Sequence, residues 1–119
     1  MHELAVCQAL MDQVVLVAQR EQARRVTGVT LQIGPLAGVE PQLLLDAWPI
    51  ASAGGIAQGA KLLIEGMPLR VHCLECGADT DAVPNRLLCG ECGSFRTRLI
   101  SGEELLLKSL ELERDGKVA

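Results

Sequence analysis

Hydrophobic residues recur at three- and four-residue steps near the start of the chain. Leu4, Cys7, Met11, Val14, Val15 and Ala18 form one stripe, while Gln8, Asp12, Gln19 and Gln22 keep the other side wet. That period predicts an amphipathic helix. Arg24 and Arg25 are expected near its C-terminal end, where positive charge suits the helix dipole. The period then drops to two: Val29, Leu31 and Ile33 alternate with Thr30 and Gln32, a half-buried strand stopped by Gly34-Pro35. Glu40-Pro41 opens a second helix, since proline suits the first helical position. Leu44, Leu45 and Trp48 are expected to face inward from it, and Pro49 with Gly54-Gly55 to break or kink it.

Lys61 to Glu65 reads as a second strand with Leu62 and Ile64 on one face. Arg70 to His72 and Arg96 to Ile100 bracket a different kind of segment. The tail, Glu103 to Arg114, is ambiguous. Its Glu, Leu and Lys content favours helix, but Leu110 and Leu112 alternating with Glu111 and Glu113 favour a strand. Local pattern leaves the two open.

The bracketed segment carries the strongest chemistry. Cys73-Leu-Glu-Cys76-Gly and Cys89-Gly-Glu-Cys92-Gly are matching knuckles separated by residues 77–88. Each CxxC aims two thiolates at one point, and the following glycine lets the backbone curl beneath the sulfurs. Four thiolates suit a tetrahedral Zn²⁺ site. All four positions would be protein ligands, so no place remains for a catalytic water and the site reads as structural. Iron in a rubredoxin-like centre stays open, because softness alone does not separate the two metals. Two dithiol redox pairs fit less well, since each knuckle is a short polar turn and does not open a helix. A disulfide framework is disfavoured by five cysteines and no signal peptide.

Composition narrows the rest. The chain has 119 residues, enough for one domain-sized unit with a small insert, and is 49% hydrophobic with 2% aromatics, so its core must be aliphatic. No run approaches the ~18 apolar residues of a membrane span. With no targeting segment, the expected compartment is the reducing cytoplasm, with no membrane partner. The formal charge of −4 argues against nucleic acid, which needs a cationic face. Across 70–98, Arg70, Arg86, Arg96 and Arg98 are cancelled by Glu75, Asp79, Asp81 and Glu91, and Phe95 alone could stack a base. Phosphate-binding loops and nucleophile motifs are absent, and neither His2 nor His72 has an evident nucleophile. An enzyme is not expected.

Met1-His2-Glu3 is the second feature with chemistry in it. A free α-amine, the His2 amide nitrogen and its imidazole can close adjacent chelate rings around one ion, a nitrogen-rich set suited to Cu(II) or Ni(II). Glu3 and Glu40 are candidate oxygen donors. An ordinary chain terminus remains the plain alternative. Cys7 lies on the apolar stripe and reads as a core thiol; His72 reads as an exposed strand residue.

Taken together, these segments resemble the HypA/HybF family, nickel chaperones for nickel-iron hydrogenase maturation. The resemblance rests on Met1-His2-Glu3-Leu4-Ala5-Val6-Cys7, on Leu31 to Pro41, on Ala57 to Leu62, on the two knuckles, and on Ser101-Gly102-Glu103-Glu104-Leu105 with Lys108 to Leu112. It implies an α+β fold in which the tail is a strand, joining 29–33 and 61–65 in a three-stranded sheet with two helices. The body would comprise 1–69 and 99–119, with 70–98 as an inserted four-cysteine zinc-ribbon domain. It implies His2 as nickel ligand, with Met1, Glu3 and Glu40 beside it, Ni(II) as cargo, and structural Zn(II) on Cys73, Cys76, Cys89 and Cys92. Implied partners are a HypB-type maturation GTPase and the hydrogenase large-subunit precursor; a homodimer is kept open. Trp48-Pro49 and Gly54-Gly55 depart from the family's more aromatic, continuous second helix. The competing reading is a zinc-ribbon interaction module without nickel transfer; an iron electron-transfer protein is the other.

Overall fold

The computed structural model describes residues 2–114. Among the described residues, two helices and six strands follow one another as α1 (Glu3–Arg20), β1 (Arg25–Ile33), α2 (Pro41–Ser52), β2 (Lys61–Gly66), β3 (Arg70–Cys73), β4 (Asp79–Asp81), β5 (Thr97–Ser101) and β6 (Leu105–Glu113). They form two three-stranded sheets, ordered β2-β1-β6 and β4-β3-β5. This is the expected α+β class, and the ambiguous tail is a strand. The chain divides into two compact units, Met1–Leu31 with Val39–Ile64 and Leu107–Ala119, and Gln32–Gly38 with Glu65–Leu106.

In the first unit, α1 buries Glu3, Cys7, Leu10, Val14 and Ala18. The buried stripe is therefore shifted from the expected one: Leu4 is exposed, Met11 and Val15 are half-buried, and Leu10 is inside. A carboxylate at the head of the stripe hid its true phase. The helix ends earlier than expected, at Arg20, leaving Arg25 to begin β1. Gln22 adopts φ 57°, with its N–H on Gln19 O (3.1 Å) and the Ala23 N–H on Ala18 O (2.9 Å). That paired closure is a Schellman stop, usually built on glycine.

Helix α2 runs through Pro49 to Ser52 and buries Leu44, Trp48 and Ser52, spaced one helical turn apart. Leu45, expected inside, is 37% exposed. One helical step turns it about 100° from the Leu44–Trp48 line. Trp48 Nε1–H donates to Ala60 O (3.3 Å), and Ser52 Oγ donates to Trp48 O (2.8 Å), so the polar atoms of this aliphatic core are partnered.

β1 is the central strand of the larger sheet, buried at Val26, Val29, Leu31 and Ile33. Met67 N–H donates to Ile33 O (2.9 Å), joining the C-terminal ends of β2 and β1, so these two run parallel with α2 as their crossover. On the other side Arg24 N–H meets Glu113 O (2.7 Å) and Gly34 N–H meets Glu104 O (2.8 Å), so β6 runs antiparallel. In the second unit β3 pairs antiparallel with both β4 and β5. Val71, fully buried, is paired with Thr80 on one side and Leu99 on the other.

Candidate metal centres

The two knuckles have the same internal wiring. In the first, Gly77 (φ 79°) donates to Cys73 O at 3.1 Å and Cys73 N–H donates to Ala78 O at 2.8 Å; in the second, Gly93 (φ 75°) donates to Cys89 O at 3.0 Å and Cys89 N–H to Ser94 O at 2.9 Å. Each tight turn leaves two amides pointing at its first sulfur. Cys73 Sγ accepts from Glu75 N–H and Cys76 N–H, both at 3.3 Å. Cys89 Sγ accepts from Glu91 N–H (3.3 Å) and Cys92 N–H (3.4 Å). Glycine directly after each CxxC is needed because a positive φ is strained for other residues.

Ties between the knuckles set their separation. Leu74 N–H donates to Arg96 O (2.8 Å), Ser94 Oγ to a Glu75 carboxylate oxygen (2.8 Å), Gly90 N–H to Thr80 Oγ1 (2.8 Å), and Thr97 Oγ1 to Leu87 O (2.7 Å). The resulting cage draws the four sulfurs to within 4.8 Å of one another. Cys73 lies 3.6 Å from Cys92, and Cys76 lies 3.6 Å from Cys89. A tetrahedral Zn²⁺ with ~2.3 Å bonds needs sulfur–sulfur edges of ~3.8 Å, so the donor set fits zinc.

The thiols are electrostatically poised for a cation. The Cys76 N–H, with that of Glu75, lowers the Cys73 thiol, and the Cys92 N–H, with that of Glu91, lowers Cys89 to about 6. Cys76 goes the other way, to about 12: the Ala78 N–H pulls it down, but hydrogen bonding to Cys89 Sγ and burial outweigh that pull. Cys92 is also raised, the Ser94 N–H being outweighed by Cys73 Sγ. Four sulfurs this close resist full ionisation until a divalent charge sits among them.

At the amino terminus, His2 holds the N-cap position of α1, exposed, with an imidazole that makes no capping bond; its carbonyl accepts Val6 N–H at 3.0 Å. Glu3 is 7% exposed, and its carboxylate accepts the Glu40 N–H at 3.2 Å. Glu40 is itself exposed, at the N-cap of α2. Met1 lies outside the described residues. Among the described residues the four cysteines are the one group of three or more metal-ligating side chains brought together; His2, Glu3 and Glu40 are not gathered that closely.

His72 is half-buried on β3, with Nδ1 2.6 Å from an Asp79 carboxylate oxygen, its register partner on β4. Cys7 is fully buried and donates to Leu44 O (3.6 Å), a core thiol as expected. Sequence reasoning missed the sulfur-directed amides and the Glu3–Glu40 bond. The repeated CxxCG carried a signal for the first; nothing local marked the second.

The model of the family described as "Hydrogenase/urease nickel incorporation, metallochaperone, hypA" matches residues 1–112. Similar curated proteins include a hydrogenase maturation factor HypA of Nitrosospira multiformis, 48% identical over 94% of this chain and 97% of that protein. Another, from Aquifex aeolicus, is 40% identical over 97% of this chain and its own full length. The solution structure of the Ni metallochaperone HypA from Helicobacter pylori superposes with a TM-score of 0.69 at 22% identity, covering 97% of this chain and 100% of that one, a likeness of fold.

Proposed function

This chain belongs to the HypA family of hydrogenase and urease nickel-incorporation metallochaperones, and from that premise we propose that it carries Ni(II) at its amino terminus and hands it, in the cytoplasm, to the large-subunit precursor of a nickel-iron hydrogenase. It is a carrier, not a catalyst. The observation that carries this reading is the placement of His2, an exposed imidazole at the head of a helix, uncommitted to capping it.

The local physics supports delivery from that position. The first amides of an α-helix have no intrahelical acceptor, and in α1 the ladder begins with Val6 N–H on His2 O. Nitrogens ahead of that bond can therefore serve a metal without breaking helical hydrogen bonds. Imidazole, amine and amide nitrogen together suit Ni(II), with His2 as the side-chain ligand, Met1 as the amine, and Glu3 and Glu40 as nearby oxygen donors. Glu3 brings the first turn of α1 onto the N-cap of α2, so both acidic residues belong to one neighbourhood. A carrier site must exchange its cargo, and an exposed terminus with one imidazole does so more readily than a closed cage.

Cys73, Cys76, Cys89 and Cys92 would hold a structural Zn(II), which closes the two knuckles into one folded ribbon. On this reading 70–98 is an inserted zinc-binding domain and 1–69 with 99–119 the nickel-binding body. Loading would fall to a HypB-type maturation GTPase, and a homodimer would place two termini on one particle. Cells lacking the chain should make hydrogenase large subunit without nickel and without activity, both restored by the wild-type chain but not by His2→Ala; full restoration by His2→Ala would contradict the reading.

A second reading is favoured by one observation. Phe95 is 80% exposed and Leu74 57% exposed, both in the knuckle region. Such residues suit a protein-interaction ribbon with no nickel transfer, and nickel binding separates the two readings.

A further inference from the structure

Resting on the reading of the four cysteines as a zinc site, we propose that Cys76 and Cys92 are the sites that peroxide attacks first, that Cys89 and Cys73 opposite them resolve the product as a disulfide, and that this opens the cluster and releases the metal.

The four ligands are not equivalent. Cys73 and Cys89 are 1% and 4% exposed, whereas Cys76 and Cys92 are exposed. Hydrogen bonding divides them in the same way. Cys73 and Cys89 each accept two backbone N–H groups from within their own turn. Cys76 and Cys92 lack such a pair of donors, the sulfur of the opposite knuckle at 3.6 Å being the partner of each. An N–H pointed at a thiolate withdraws electron density and must be given up when the sulfur forms a new bond. In the zinc-loaded protein, where all four sulfurs are thiolates, the second cysteine of each knuckle is thus both the more reachable and the one with fewer N–H groups to give up, a consequence of the turn geometry that repeats in both halves. The remaining thiol, Cys7, is fully buried in the other unit and bonded to Leu44 O, so it does not compete.

The chemistry closes on residues already in place. A Cys76 thiolate attacks one peroxide oxygen: an S–O bond forms, the O–O bond breaks, and hydroxide leaves. The Cys89 sulfur, 3.6 Å away, then displaces a second hydroxide from the sulfenic sulfur and forms a disulfide. Cys92 has Cys73 as its equivalent partner at 3.6 Å. In each case two thiolates lose two electrons and one peroxide is reduced to two hydroxides, which protons convert to water. The two thiolates left cannot fill the four positions that Zn²⁺ requires. The resulting disulfide joins the knuckles instead of closing either CxxC.

The test uses full-length protein whose zinc content is measured first. Limiting iodoacetamide ranks the thiolates by peptide mass mapping; limiting hydrogen peroxide follows, with released zinc read by a chromogenic chelator and disulfides mapped. The expected result is alkylation at Cys76 and Cys92 roughly tenfold faster than at Cys73 and Cys89, the factor one extra charge-assisted hydrogen bond is worth. Cys7 should stay unlabelled, and zinc should appear in step with Cys76–Cys89 or Cys73–Cys92 disulfides. First labelling at Cys73 or Cys89, even labelling of all four, or zinc retained after Cys76 and Cys92 are oxidised would overturn the inference alone. A chain that holds no zinc would overturn the zinc reading itself.

Discussion

The Glu3 carboxylate accepts the backbone N–H of Glu40 at 3.2 Å, joining the first turn of α1 to the N-cap of α2 across 37 positions of sequence. It satisfies a donor that α2 leaves without an intrahelical acceptor, and it does so with a charge of the sign that a helix N-terminus favours. In Glu3→Ala the Glu40 amide should exchange with solvent roughly tenfold faster, the effect of losing one charge-assisted hydrogen bond. Zinc content should be unchanged. Unaltered exchange at Glu40 would show that the bond does not hold in solution.

The two leucines at adjacent places in α2 should separate cleanly. Leu44 is fully buried, so Leu44→Ala should cost about 2–5 kcal/mol in urea unfolding. Leu45→Ala, on the outward side, should cost under about 1 kcal/mol. Equal costs would place the α2 stripe wrongly.

Gly34 offers a steric test. A Cβ there would lie 2.2 Å from the Gly102 carbonyl carbon and oxygen, backbone atoms that no rotamer change can move aside. Gly34→Ala should destabilise by about 1–3 kcal/mol or more, whereas Ala at Gly66, which meets nothing within 4 Å, should cost less. Tolerance of Gly34→Ala in thermal melts would count against the close approach of these two turns.

How much of this was legible depended on the range of the interaction. The knuckles are local, and their spacing alone specified the sulfur cluster. Helices and strands were legible by period, but helix phase failed wherever polarity and burial parted company: Glu3 is charged and buried, while Leu4 and Leu45 are apolar and exposed. Arg25 was misplaced because the stop of α1 uses Gln22 in a left-handed conformation with no glycine to mark it. The tail looked equally like helix because its strand character comes from pairing with β1, near the other end of the chain, which no local window contains.

Zinc occupancy should follow pH in one direction. Cys89, held to about 6 by the N–H groups of Cys92 and Glu91, is a thiolate at neutral pH, and the other sulfurs bind metal only after losing protons. Because its folded-state value is depressed, the thiolate form is present above that value and is lost as pH falls through it. Zinc should stay bound at about pH 7–8 and leave with increasing steepness below about pH 6. Cys76→Ala should lose zinc at neutral pH and unfold the 70–98 segment, while amide dispersion from α1, α2 and β1 survives. Collapse of the whole chain in backbone NMR would contradict that two-part organisation.

Nickel-binding calorimetry on untagged, zinc-loaded protein retaining Met1, set beside His2→Ala, tests the central claim most directly. The expected result is one Ni(II) per chain, bound more tightly as pH rises because imidazole and amine ligate in their neutral forms, and lost in the variant. Equal binding by both proteins, or binding by neither, would contradict delivery from the amino terminus and leave the knuckles as an interaction ribbon.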